Sequence, residues 1–140
     1  MAPQKRQHLT FRLPRPTLER LDSRAHQIRE TRTGLAERYL EEGLRMDEHP
    51  GIGFVDGPAG RRAVLVGTGL DVWDAIITVK QNRGSVSAAA RYHEIAESRI
   101  REAVRYYAAF PDEIDEWLAR QEEAAEREAA AARRERAILG

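Results

Sequence analysis

The sequence predicts a mainly α-helical protein. One short strand per chain followed by two helices makes a dimerising front, and a second helical module follows it. Three observations carry that reading. Residues 7–13 alternate polar and apolar strictly, which is the period of a half-buried strand. From residue 14 onward, apolar side chains recur instead at helical spacing. No second strand of matching pattern lies nearby, so the first strand's N–H and C=O groups need a partner from another copy.

Each element follows from local chemistry. Residues 1–6 are a basic polar arm, expected to be disordered. In the strand, Leu9, Phe11 and Leu13 face one side and His8, Thr10 and Arg12 the other. Pro14 and Pro16 end it, and Pro16 suits an early helical position. Leu18, Leu21, Ala25 and Ile28 then mark the first helix. Thr33 is the expected N-cap of a second helix carrying Leu35, Tyr39, Leu40 and Leu44. The domain formed by 7–48 therefore ends before a Gly/Pro-rich connection, 49–69, which holds six of the ten glycines and one apolar run, Val64–Val66, that suits a short strand. Residues 70–118 read as a helical domain. Asp71 caps a helix with Val72, Trp73, Ile76 and Ile77, Ser85 or Ser87 opens a short helix, and Ile100, Ala103, Val104 and Tyr107 mark a longer one. Asp112 and Glu113 load the first turn of another helix after Pro111, and 119–140 is a charged helical tail.

Composition narrows function before any motif does. Lys and Arg number 23 and so do Asp and Glu, which excludes a protein that coats nucleic acid through bulk charge. The balance hides a polarity: residues 1–32 hold eight basic and three acidic groups, while 111–140 hold five basic and nine acidic. With no cysteine, disulfide frameworks, thiolate zinc sites and cysteine nucleophiles are excluded. The absence of a leader pattern or a long apolar run predicts a cytoplasmic, nucleoid-associated protein with no membrane partner.

A two-stranded ribbon made from two copies fits the major groove of B-DNA, where side chains reach base edges. That geometry assigns base contact to His8, Thr10 and Arg12, with Arg12 suited to guanine. Free amides at the start of the second helix suit a phosphate, which selects Thr31, Arg32, Thr33 and Gly34, with Arg6 and Arg15 as further phosphate contacts. The order HLTFRLPRPTLERLDSRA…TRTGLAERYLEEGL resembles the ribbon-helix-helix repressors of the Arc/MetJ/CopG type over roughly 7–46. The resemblance implies a homodimer through the strand, base reading by its outward residues and a phosphate clamp at the second helix.

The helices after Trp73 are compatible with a helix-turn-helix, in which Ser98, Arg99, Arg101 and Arg105 would form a second set of DNA contacts, chiefly to phosphate. The alternative for those arginines is a solvated surface. Trp73, Ile76, Ile100 and Tyr107 read as core. The stretch HPGIG…GRRAVLVGTGLDVWDAI…YHEIAESRIREAVRYYAAFPDEID resembles a small helical family of unknown function found in VapB-like antitoxins. This chain departs from it at Gly69 and Asp71, where the family usually has Arg and Pro. The resemblance implies a partner, a nuclease toxin with a PIN-like domain. On that reading Arg133, Arg134, Arg136, Ile138 and Leu139 in the tail bind the partner; the alternative is a solvated helix with i,i+4 charge pairs.

No enzyme, cofactor or metal is expected. His8, His26, His49 and His93 lack ligand spacing, and His26 with Glu30 supplies only two ligands. Gly67-Thr68-Gly69 lacks the rest of a phosphate loop and reads as a turn. The combined expectation is a sequence-specific repressor of double-stranded DNA, acting as an autoregulatory antitoxin. A stand-alone regulator without a toxin and a dimeric protein-interaction adaptor remain the alternatives.

Overall fold

The computed structural model describes residues 5–140, so most of the expected basic arm lies outside the described residues. The chain is mainly helical, and it divides into two compact units, one reaching Glu41 and one spanning Glu42–Gly140.

The first unit contains helix α1 (Arg15–Gln27) and the start of α2 (Arg32–Glu48). Pro14 stands at the N-cap of α1 with extended backbone, and Pro16 lies in the first turn, where a missing N–H costs little. Arg24 and His26 in its last turn complement the helix dipole. The helix closes on Arg29, which takes the left-handed conformation at φ 57°, while the Glu30 amide donates back to the Ala25 carbonyl at 3.0 Å. The cap of α2 is Thr31 rather than the expected Thr33: its Oγ1 accepts from the Gly34 amide at 3.0 Å. The cap fell two residues early because the hydroxyl must precede the third helical amide, and Arg32 already belongs to the helix.

Residues 7–13 carry no strand pairing among the described residues. A strand is defined by its ladder, and no described segment of this copy offers one. Among the described residues of this unit only Ala25 and Leu35 are buried, while Leu9, Phe11, Leu13, Tyr39 and Leu40 stay exposed. That is a very small core for some forty residues.

The second unit corrects the expectation of one short strand per chain. Where a turn-rich connection with a short strand on the run Val64–Val66 was the expectation, it has a three-stranded antiparallel sheet, β1 (Ile52–Val55), β2 (Arg62–Leu65) and β3 (Leu70–Asp71), in that order, with β2 overlapping that run. Ile52 pairs with Leu65, and Phe54 with Ala63. β1 and β3 were hidden because each is four residues or fewer and glycine-rich turns flank them. Gly57 and Gly60 exchange backbone hydrogen bonds at 3.1 and 2.9 Å to close the first hairpin. Gly67 and Gly69, at φ 80° and 71°, turn the second, with Thr68 Oγ1 donating to the Leu65 carbonyl.

Helices α3 (Val72–Gln81), α4 (Val86–His93) and α5 (Glu97–Ala109) pack on one another, and α3 and α5 also pack on the sheet. The core joins Ile52 and Leu65 to Val72, Ile76, Ile100, Tyr106 and Ile114. Ser85 caps α4 by accepting from the Ala88 amide at 3.0 Å. Asp71 stands at the N-cap of α3 but does not cap it; its carboxylate receives Arg62 and the Trp73 indole N–H instead. The expected tail is not a separate element. One helix, α6, runs unbroken from Pro111 to Leu139, because alanine, glutamate and arginine after Trp117 contain nothing that stops it.

Candidate nucleic-acid interface

The strand-like segment keeps its predicted two sides. Thr10 Oγ1 and His8 Nε2 lie 2.7 Å apart, so residues two apart face the same way, as period two requires. Arg12 is exposed and has no hydrogen-bond or ion-pair partner among the described residues. On the apolar side, Leu9 is 73% and Phe11 56% exposed. Phe11 and Leu13 line an open groove of about 570 Å³ with Leu21, Ala36, Tyr39 and Leu40.

The expected phosphate contacts are more committed. Arg32 makes two hydrogen bonds to Asp22, at 2.5 and 2.8 Å. The pairing holds the Asp22 carboxyl below its ordinary range and raises the Arg32 guanidinium, chiefly through those hydrogen bonds. Arg6 is ion-paired with Glu37, and Arg15 with Glu19 at 3.3 Å. Thr31 already takes the Gly34 amide, so of the first-turn amides those of Arg32 and Thr33 point out without a backbone acceptor.

In the second unit, the expected set on α5 splits. Ser98, Arg101 and Arg105 are exposed, with Arg101 only loosely paired to Glu97 at 3.7 Å. Arg99 is not free for phosphate. Its Nη2 donates to the carbonyls of Val66 at 2.6 Å and Gly51 at 3.3 Å, and its Nε to Glu102 at 2.8 Å. It ties α5 to the hairpin, and at the Gly51 carbonyl it is a second donor beside the Val66 amide. Arg133, Arg134, Arg136, Ile138 and Leu139 are all exposed on α6.

Sequence reasoning missed the polar joints of this unit. Arg45 Nη1 donates to Tyr106 Oη at 2.8 Å and to Glu113 Oε2 at 3.0 Å, while the Tyr106 hydroxyl donates to Glu113 at 2.5 Å. The Arg45 guanidinium also covers the Phe110 ring at 3.8 Å. Burial, then the Glu113 carboxylate, pushes the Tyr106 hydroxyl well above its ordinary range. Arg61 binds Glu42 through two bonds at 2.8 and 2.7 Å, which raises its guanidinium in turn. Arg45 and Arg61 stand 19 to 68 residues from their partners, with no local spacing to flag them.

His49 stacks edge-on against Tyr106 and Phe110, and His93 bonds Thr78 Oγ1 at 2.8 Å. No cluster of three or more metal-ligating side chains occurs among the described residues, and no described helix is long and apolar enough to cross a membrane. No family model, curated protein or solved structure matches the chain.

Proposed function

We propose that this chain is a sequence-specific repressor of double-stranded DNA that works as a homodimer, residues 7–13 of two copies pairing into a ribbon. The observation that carries the reading is the incomplete first unit. It has an unpaired, two-sided segment whose apolar side lies beside an open apolar groove, while His8, Thr10 and Arg12 are exposed. Pairing two such segments satisfies the backbone and covers Leu9, Phe11 and Leu13 in one step. His8, Thr10 and Arg12 then stand together on the outer surface, where a major groove accepts them.

A dimeric adaptor is favoured by a specific observation of its own: Arg6, Arg15 and Arg32 already hold carboxylate partners. Exposed pairs of this kind are worth little, so a phosphate can displace the carboxylate at small cost. The antitoxin role rests on the resemblance of 49–118. On that reading Ser98, Arg101 and Arg105 are backbone contacts of a helix-turn-helix.

Sequencing genomic fragments retained by the purified protein, beside a His8→Ala/Thr10→Ala/Arg12→Ala variant, tests the reading. Enrichment of a short inverted repeat near its own gene, lost in the variant, is expected. Equal retention by both proteins, or by neither, overturns base readout and leaves the adaptor. Rescue of growth against the neighbouring gene product tests the antitoxin role separately.

A further inference from the structure

Past Leu118 no residue of α6 is buried, and Ile138 and Leu139 are 84% and 86% exposed. No charged side chain between Arg120 and Arg136 has an ion-pair partner among the described residues, although Glu123 and Arg127 are four apart on the helix. The i,i+4 pairs that make a lone helix self-sufficient in water are therefore not drawn.

The apolar series along α6 is two-fold symmetric, and its first member, Leu118, also packs partly against the unit's own core. Leu118, Ala125, Ala132 and Leu139 recur every seven residues, with Ala124, Ala131 and Ile138 one position before the last three. Seven residues is close to two helical turns, so both series lie on one face. At its base, the face opens into a groove of about 420 Å³ lined by Ile77, Leu118, Gln121, Glu122 and Ala125. The charge on the helix is split: residues 112–128 hold eight acidic and two basic groups, and 129–140 three basic and one acidic.

We propose that this face of α6 binds the α6 of a second copy, antiparallel, with the two-fold axis between Glu128 and Ala129. In that register Leu118 meets Leu139 of the other copy, and Ala125 meets Ala132. The alanines let the helices approach closely over about 32 Å. Residues 133–136 of each copy, with three arginines and one glutamate, come level with 121–124 of the other, with two glutamates and no basic group, so that Arg134 stands opposite Glu123, and the helix dipoles oppose. Parallel pairing stacks acidic half on acidic half. A partner with an acidic surface matches the arginine end alone and is repelled by the rest of the face. A second copy complements both halves. This pairing is separate from the ribbon and does not depend on it.

Because the chain has no cysteine, one introduced thiol reports register without background. Full-length Ala125→Cys and Ala132→Cys proteins are mildly oxidised, alone and after mixing, and run without reductant. The mixed pair is expected to cross-link and each protein alone is not. The same pattern is expected in a Phe11→Asp chain, which breaks the ribbon and so reads the two interfaces apart. Self-cross-linking of each protein alone shows parallel packing and overturns the proposal. So does the absence of a cross-link in every combination, which leaves the face to solvent or to a different protein.

Discussion

Arg12 and Glu94 show how differently two exposed charged residues can matter. Arg12 has no partner within the described chain, so removing it costs the fold little and its effect falls on DNA. Arg12→Ala is expected to lose roughly 1–3 kcal/mol of discrimination at one base position per half-site. Competition binding against single-base operator variants reads this directly, and unchanged preference at every position sinks base readout by the strand. Glu94 has a conformational role instead. It occupies the left-handed region at φ 56° where α4 ends, and the Ile95 amide closes the turn onto the Ala90 carbonyl at 3.1 Å. A side chain there carries a strain that glycine lacks, so Glu94→Gly is expected to stabilise the protein by about 1 kcal/mol. Urea denaturation checks it; a lower midpoint means Glu94 makes a contact that outweighs the strain.

At the scale of elements, the second unit is held by polar joints as well as by apolar burial. Arg45 on α2, Tyr106 on α5 and Glu113 on α6 meet at one partly buried point. The Tyr106 hydroxyl is held protonated in the fold, because burial and Glu113 both disfavour its anion. In the unfolded chain it ionises near pH ~10, so the unfolded state sheds a proton that the folded state keeps. The contribution is whole below that pH and is lost as pH rises beyond it. Wild-type stability should therefore fall more steeply above pH ~10 than that of Tyr106→Phe, which cannot ionise there. Parallel alkaline slopes in urea titrations refute the joint's protonation state. None of this was legible in the sequence. Helix periodicity placed Ile100, Ala103 and Tyr107 on one helix and marked Pro111 as the start of the next, because those signals are local. Of the sheet, β2 was legible from the apolar run Val64–Val66, but β1 was not, since Ile52 and Phe54 alternate correctly but over too few residues to stand out from their glycines. At the candidate site the two sides of 7–13 were legible from alternation alone. The ion pairs of Arg6 and Arg32 were not, because their carboxylates come from elsewhere in the fold.

For the whole molecule, what matters most is the unequal completeness of the two units. The unit beyond Glu42 has a core of a dozen buried residues drawn from the sheet and four helices. The first unit has Ala25 and Leu35, with its largest apolar side chains exposed. Two such units should not share one stability. A region with few buried contacts opens locally at small cost, while one with a full core opens only with global unfolding. If a second copy completes the first unit, that local cost acquires a dependence on protein concentration that the second unit lacks. Amide hydrogen exchange should then show α1 well protected when the protein is concentrated and poorly protected on dilution. Protection of α3 and α5 should hold at both concentrations. Phe11→Asp should reproduce the dilute pattern at every concentration, because a carboxylate cannot be buried unpaired in the seam. Protection of α1 that is strong and independent of concentration would mean that the first unit folds by itself, and the ribbon would lose its physical reason to form.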